Sequence, residues 1–171
     1  DADVLVESFR PGVAARLGLS YEALSGRNPG VVYCSITAFG QNGAYDNRPA
    51  HDLALEALTG VLALTLGDDA RPAVPGVAIA DSLSALQGLA GVLMALLRRT
   101  ETGRGDYIDI AMLDVQVATL ANQAMNFLVS DKVPKRNGNA HPNIQPQDVY
   151  ACADGEVILV VGNDGQFAKL C

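Results

Sequence analysis

A few carboxylates, two histidines and two early arginines are the residues whose types and placement could do chemistry in this chain. Asp114 stands where a strand-like run, Tyr107 to Ala111, gives way to a helical stretch, Leu113 to Val129. A helix N-terminus offers unpaired backbone N–H groups and a positive field, which orient a carboxylate and favour its charge. Such a carboxylate can act as a nucleophile, and position alone equally describes an aspartate kept there by the helix dipole. His51 and Asp52 are adjacent at the end of a long loop and open a helix. They read either as an acid/base pair or as a capping residue with an exposed neighbour. Asp81, at the start of the longest helical pattern, needs no role beyond capping. Arg10 and Arg16 lie just past the first strand-like run and in the first short helix. They suit a phosphate at a strand's carboxyl end, or simply a solvated face. His141 lies in an Asn- and Gly-rich loop, Asn137 to Asn143, whose composition mainly signals irregular backbone.

The elements that must position these groups follow from periodicity and turn signals. Val4 to Glu7, closed by Arg10-Pro11-Gly12, and Val31 to Ile36, opened by Asn28-Pro29-Gly30, read as buried strands. Between them Val13 to Leu17 makes one helical turn, and Ser20 is placed to cap a second short helix. Strand, helix, strand in that order predicts a parallel sheet. Ala38 to Pro49 has no periodicity and is rich in Gly, Asn, Asp and Pro, a loop of the length that is often functional. Helical spacing returns from Asp52 to Leu66, a polar loop covers Gly67 to Pro75, and a helix capped by Asp81 or Ser82 runs to about Arg99. Its leucines leave almost no polar face, so it is expected to be mostly buried, with Gly88 and Gly91 allowing close packing. Tyr107, Asp109 and Ala111 share one face of the third strand, Ile108 and Ile110 the other. Ser130 to Gln147 turns polar, and Asp148 to Ala151 with Glu156 to Val161 reads as a hairpin around Ala153-Asp154-Gly155. The expected organisation is an α/β, Rossmann-like parallel sheet with helices on both faces over residues 1–130. Residues 131–171 are expected to form a linker and the start of a smaller α/β domain.

Composition excludes several classes. The 171 residues carry twelve Lys and Arg against nineteen Asp and Glu, a net charge of -7, with no basic run. That is a poor surface for nucleic acid or an anionic membrane, although a few local arginines can still bind a phosphorylated small molecule. The longest apolar run, near Leu89 to Leu97, is short of the roughly 20 residues of a membrane span, so no such span is expected. Three scattered cysteines and two histidines argue against a disulfide scaffold and structural zinc, and fit a reducing cytoplasm. No GxGxxG, Walker A, GxSxG or HExxH sequence is present. The opening directly on a strand and the stop at Cys171, just as a helical pattern begins, read as an internal piece of a longer protein, expected to be unstable alone.

Six ordered stretches are more specific: Glu7 to Gly12 with Arg16 to Leu19, Tyr33 to Gln41, Pro75 to Asp81, Thr102 to Asp109, Met112-Leu113-Asp114, and Gly138 to Ile144. Together they resemble the family III (CaiB/BaiF) coenzyme A transferases over essentially the whole chain. The resemblance implies that Asp114 is a nucleophile attacking an acyl-CoA thioester. A mixed anhydride and CoA thiolate form, the thiolate returns to give an aspartyl-CoA thioester, and an acceptor carboxylate reverses the sequence. It implies CoA contacts from Ser8, Phe9, Arg10 and Arg16 and from Pro49, Ala50 and His51, with Asp52 as an acidic residue near the nucleophile. It further implies an acyl-CoA and a carboxylic acid as substrates, no metal, and an interlocked homodimer. Ser8 departs from the asparagine usual in the family. The 2-methylacyl-CoA racemases share this fold, and His51 and Asp81 match their two acid/base groups, whereas those enzymes carry glutamate in place of Asp114. A non-catalytic CoA-binding homologue is a third reading. Asn137 to Ile144 and Val160 to Phe167 look closest to members using dicarboxylates.

Overall fold

The computed structural model describes residues 2–65 and 71–171. Its centre is a three-stranded parallel sheet in the order β1 (Val4–Glu7), β2 (Val32–Thr37), β3 (Tyr107–Ala111). The register runs from Val4 opposite Val32 to Glu7 opposite Ser35, and from Tyr33 opposite Tyr107 to Thr37 opposite Ala111. β2 lies between the other two and is covered on both faces, so Val32, Tyr33, Cys34 and Ser35 are buried. That double burial explains why its sequence is a continuous run rather than an alternation. Both faces carry helices, as the strand–helix–strand order predicts.

Short helices α1 (Val13–Arg16) and α2 (Tyr21–Ser25) connect β1 to β2. α1 starts at Gly12, whose φ of 80° needs a glycine, and the Ser20 hydroxyl accepts the Ala23 N–H at 3.3 Å to start α2. Tyr21 of α2 packs on Tyr33 and Tyr107, with ring centroids 6.1 and 5.4 Å away. Burial, with the Glu7 charge adding, pushes the Tyr33 phenol up to about 12, so this ring is neutral packing material.

The opposite face is covered by α5 (Ile79–Thr102). A methyl at Gly88 would sit 3.0 Å from Ile36 Cδ1, and one at Gly91 would sit 3.1 Å from Ile108 Cγ2. These glycines therefore let the helix lie directly on β2 and β3, the close packing expected of them from the sequence. The expectation that this helix is mostly buried does not hold. Only Ala80, Ser84, Gly88 and Ala95 are buried, while Leu86 and Leu97 are 62% and 71% exposed. One face meets the sheet, and Leu86, Leu89, Leu93 and Leu97 on the rest of the helix are more than half exposed. By length and apolar content α5 is also the one described helix able to cross a membrane, against the expectation that none is long enough. Its glycine face docked on Ile36 and Ile108 accounts for it as a sheet-covering helix.

Two expected long helices are broken. Residues 52–65 form α3 (Asp52–Thr59) and α4 (Val61–Leu64), separated by Gly60 at φ 88°. The leucine spacing continues across a backbone turn that periodicity does not register. The stretch after β3 likewise divides into α6 (Met112–Thr119) and α7 (Asn122–Ser130), with Ala121 at φ 45° between them. Leu66 and residues 67–70 of the expected helix and loop lie outside the described residues.

The chain forms two compact units, residues 1–61 with 74–121, and residues 62–73 with 122–171. The sequence places its division later, at 130/131. The second unit contains the antiparallel hairpin β4 (Gln147–Ala151) and β5 (Glu156–Val160). The following helix is α8 (Asp164–Leu170), capped by Asn163, whose side chain accepts the Gln166 N–H at 3.0 Å.

Candidate active site

Because the three strands are parallel, their carboxyl ends at Glu7, Thr37 and Ala111 share one edge, where open α/β sheets place ligands. The loop after β2 is tied down there. The Leu113 N–H donates to Ala38 O at 3.0 Å, the Gln41 N–H to Asp109 Oδ2 at 3.0 Å, and Gln41 Nε2 to Ser35 Oγ at 2.8 Å. Gly40 makes the turn at φ 81°. These bonds fix the loop against the start of α6, and with it the wall of a cleft.

That cleft, of about 280 Å³, is lined on one side by Ser8, Phe9, Arg10 and Pro11 and on another by Arg48, Pro49, Ala50 and His51. Phe39, Asp46, Asp81 and Met112 complete it with the end of β2. Two segments 40 residues apart in sequence, each implied by resemblance to touch CoA, therefore meet in one cavity. The Arg10 and Arg48 side chains have no ion-pair partner among the described residues, and they share the cleft with the Asp46 and Asp81 carboxylates. Arg16 does not line it. A second hollow, of about 540 Å³, shares Ser8, Phe9, Ile36, Asp81 and Met112 and adds Val6, Glu7 and Ala85.

Asp52 stands apart. Its Oδ1 accepts the Ala80 N–H at 2.7 Å and the Asp81 N–H at 3.2 Å. α5 begins at Ile79, and its own N-cap, Ala78, has no side chain to satisfy those amides. The cap thus comes from α3, not from Asp81 or Ser82 as the sequence suggests. Asp81 is left with its exposed carboxylate facing the cleft that His51 also lines.

Asp114 is in the first turn of α6, as the sequence predicts, and is exposed. It lines a groove of about 470 Å³ with Leu83, Leu86, Gln87, Val115, Ala118 and Thr119, separate from the cleft of Arg10 and His51. Met112 reaches the cleft and Asp114 does not, since residues two apart on a helix point about 200° apart. The two hollows lie on different faces of α5, Asp81 and Ala85 facing one and Leu83, Leu86 and Gln87 the other.

Other reactive groups are poorly placed for chemistry. Burial pushes the Cys34 thiol up, so its thiolate is disfavoured. Among the described residues no three His, Cys, Asp or Glu side chains converge as a metal cluster. His141 is occupied locally, its Nδ1 accepting the Asn143 and Ile144 N–H groups at 3.1 Å each.

Sequence reasoning missed Phe39, Asp46, Arg48 and Met112 as lining residues. The signal available for the first three was the length of the 38–49 loop. It also missed Glu56, wholly buried on α3, whose carboxyl is raised by burial and by the neighbouring Asp52 charge. Its oxygens find no partner at hydrogen-bonding geometry, and the nearby Ile79 amide opposes the rise without cancelling it. Gln116, the one buried residue of α6, has an unpartnered side-chain amide too.

The chain matches the profile of CoA-transferase family III over residues 1–171. It is 46% identical over 170 residues to a succinate–glutarate CoA-transferase of Agrobacterium fabrum, covering 99% of this chain and 42% of that protein. It is 39% identical to an acetyl-CoA:oxalate CoA-transferase of Acetobacter aceti, covering 99% of this chain and 44% of the other. Among solved structures, a CAIB/BAIF family protein from Brucella suis superposes with a TM-score of 0.85 at 46% identity, covering 99% of this chain and 45% of that one. The chain spans less than half the length of these relatives. It belongs to CoA-transferase family III.

Proposed function

We propose that the full-length protein moves coenzyme A between carboxylic acids, dicarboxylates among them, with Asp114 as the nucleophile. The observation that carries the reading is the cleft at the sheet's carboxyl edge, which joins Ser8, Phe9 and Arg10 to Pro49, Ala50 and His51, with Arg10 making no ion pair among the described residues. The names of the relatives, which use succinate, glutarate and oxalate, support dicarboxylate substrates. In this reading the Asp114 carboxylate attacks the thioester carbonyl and expels CoA thiolate, leaving an acyl-aspartyl anhydride. The thiolate attacks the aspartyl carbonyl, releasing the donor acid and leaving an aspartyl-CoA thioester. The acceptor carboxylate then runs both steps backwards. Each step exchanges one activated acyl bond for another, so the covalent route divides one difficult exchange into easier ones. Water has to be kept from the anhydride. The exposure of Asp114 in the described chain means that other parts of the protein, a second subunit of an interlocked homodimer in our reading, would close over it. A reducing cytoplasm suits three cysteines without disulfides.

One observation favours a second reading, α-proton transfer on an acyl-CoA: His51 and Asp81 line the same cleft, and Asp114 lines another. Racemisation needs two acid/base groups flanking one carbon. Incubation with a 2-methylacyl-CoA in deuterated water separates the two. Deuterium at the α-carbon that depends on His51 and Asp81 supports proton transfer, whereas passage of labelled acid into the CoA ester that is lost in Asp114→Ala supports CoA exchange.

A further inference from the structure

The 38–49 loop carries a feature that the CoA contacts implied for Ser8–Arg10 and Pro49–His51 do not include. The Arg48 guanidinium lies over the Tyr45 ring, 4.3 Å from its centroid. Tyr45 in turn packs edge-to-face on Phe39, with centroids 5.6 Å apart and planes at 65°. The Arg48 N–H donates to Tyr45 O at 2.8 Å, closing the turn that brings guanidinium and ring together. Phe39 and Arg48 both line the cleft, and Arg10 lines its other wall. Asp46, the nearest carboxylate in sequence, does not neutralise Arg48; its Oδ1 accepts Asn47 Nδ2 at 2.8 Å.

A guanidinium held over a ring by cation–π attraction spends none of its N–H donors on a hydrogen bond to the ring, and so keeps a fork that can take an oxyanion in a two-pronged contact. The aromatic support limits the rotamers of a long side chain and so reduces the ordering cost of binding. We propose that Arg48, held by Tyr45 and Phe39, is a substrate-binding residue that grips an oxyanion of the ligand, opposite Arg10. This deepens the CoA-transferase reading and rests on it. The oxyanion has two possible sources, a phosphate of coenzyme A or the distal carboxylate of a dicarboxylic acid.

The test uses the full-length protein with Arg48→Gln and Arg48→Lys, thermal melts first showing that each folds as the parent does. Arg48→Gln is expected to raise one substrate KM about tenfold or more, the loss of a charge-assisted pair, with kcat changed less than about twofold. Arg48→Lys, which keeps the charge without the fork, is expected to fall between. If the affected KM is that for acyl-CoA, and the difference vanishes with an acyl-pantetheine lacking the nucleotide phosphates, the phosphate is the partner. If it is that for glutarate, and vanishes with a monocarboxylate of equal length, the carboxylate is. Unchanged KM values for both substrates in a folded, active Arg48→Gln overturn the proposal. A parent protein that exchanges no CoA refutes the transferase reading without deciding this one. Equilibrium binding of CoA and of glutarate to parent and Arg48→Gln then decides it: a tenfold weaker affinity for one of them sustains the assignment, and equal or no binding overturns it.

Discussion

Replacing Asp52 separates a structural carboxylate from a chemical one. Its Oδ1 accepts two amides, Ala80 at 2.7 Å and Asp81 at 3.2 Å, at the start of a 24-residue helix with no cap of its own. Ala80 is wholly buried, so Asp52→Ala leaves its N–H without a protein partner. An unsatisfied buried donor costs about 1–3 kcal/mol, and loss of the negative charge at the helix N-terminus adds about 0.3–1 kcal/mol. We therefore expect Asp52→Ala to lower the unfolding free energy of the full-length protein by about 2–3 kcal/mol, read from the urea midpoint at unchanged slope. Asp52→Asn keeps an oxygen acceptor at the same reach and loses the charge alone, so it is expected to cost only about 0.3–1 kcal/mol and to retain CoA-exchange activity. A carboxylate acting in the chemistry would behave differently: the asparagine variant would fold well and be as inactive as the alanine variant. Equal destabilisation by both substitutions, or a cost for alanine below about 0.5 kcal/mol, would refute the capping argument.

Two other substitutions probe the packing that holds the site. Gly88→Ala exchanges a helix-propensity gain of about 1 kcal/mol for displacement of the Ile36 Cδ1 methyl, now 3.0 Å from the added carbon. Its net effect is expected to stay within about 1 kcal/mol. Gly88→Val, with two further carbons against β2, is expected to cost about 1–3 kcal/mol in the same denaturation assay, and tolerance equal to alanine would contradict the close approach of α5. Glu56 supplies a pH dependence: its folded-state pKa is raised by burial and by Asp52, so its protonated form stabilises the fold below the ordinary carboxylate range. That contribution is lost as pH rises through the raised folded value. Glu56→Gln, which cannot ionise, should gain in Tm over the parent as pH goes from about 5 to about 8; thermal melts showing a constant or shrinking difference would count against it.

The parallel sheet was legible because β2 announces double burial in the unbroken run Val31 to Ile36, and Asn28-Pro29-Gly30 marks where it starts. Gly88 and Gly91 were legible as packing glycines because they interrupt a leucine-rich helix, and Ile36 and Ile108 meet them there. The helix breaks at Gly60 and Ala121 were not, since the apolar spacing continues through both and Ala121 has no glycine-like signature. Nor was the capping of α5 by Asp52, which depends on α3 and α5 meeting in space 28 residues apart. At the site, the 38–49 loop was recognisable by composition, yet the seating of Arg48 on Tyr45 is a matter of turn geometry. The face on which Asp114 emerges followed from helical phase only once the start of α6 at Met112 was known.

Acylation of the Asp114 side chain is the most direct test of the transferase mechanism. The full-length protein should be incubated with succinyl-CoA, quenched with hydroxylamine and digested, and the peptide carrying Asp114 weighed. We expect a hydroxamate at Asp114 that forms only with acyl-CoA present and is missing in Asp114→Asn. An unmodified Asp114 in protein that is exchanging CoA with an acceptor acid would contradict the account.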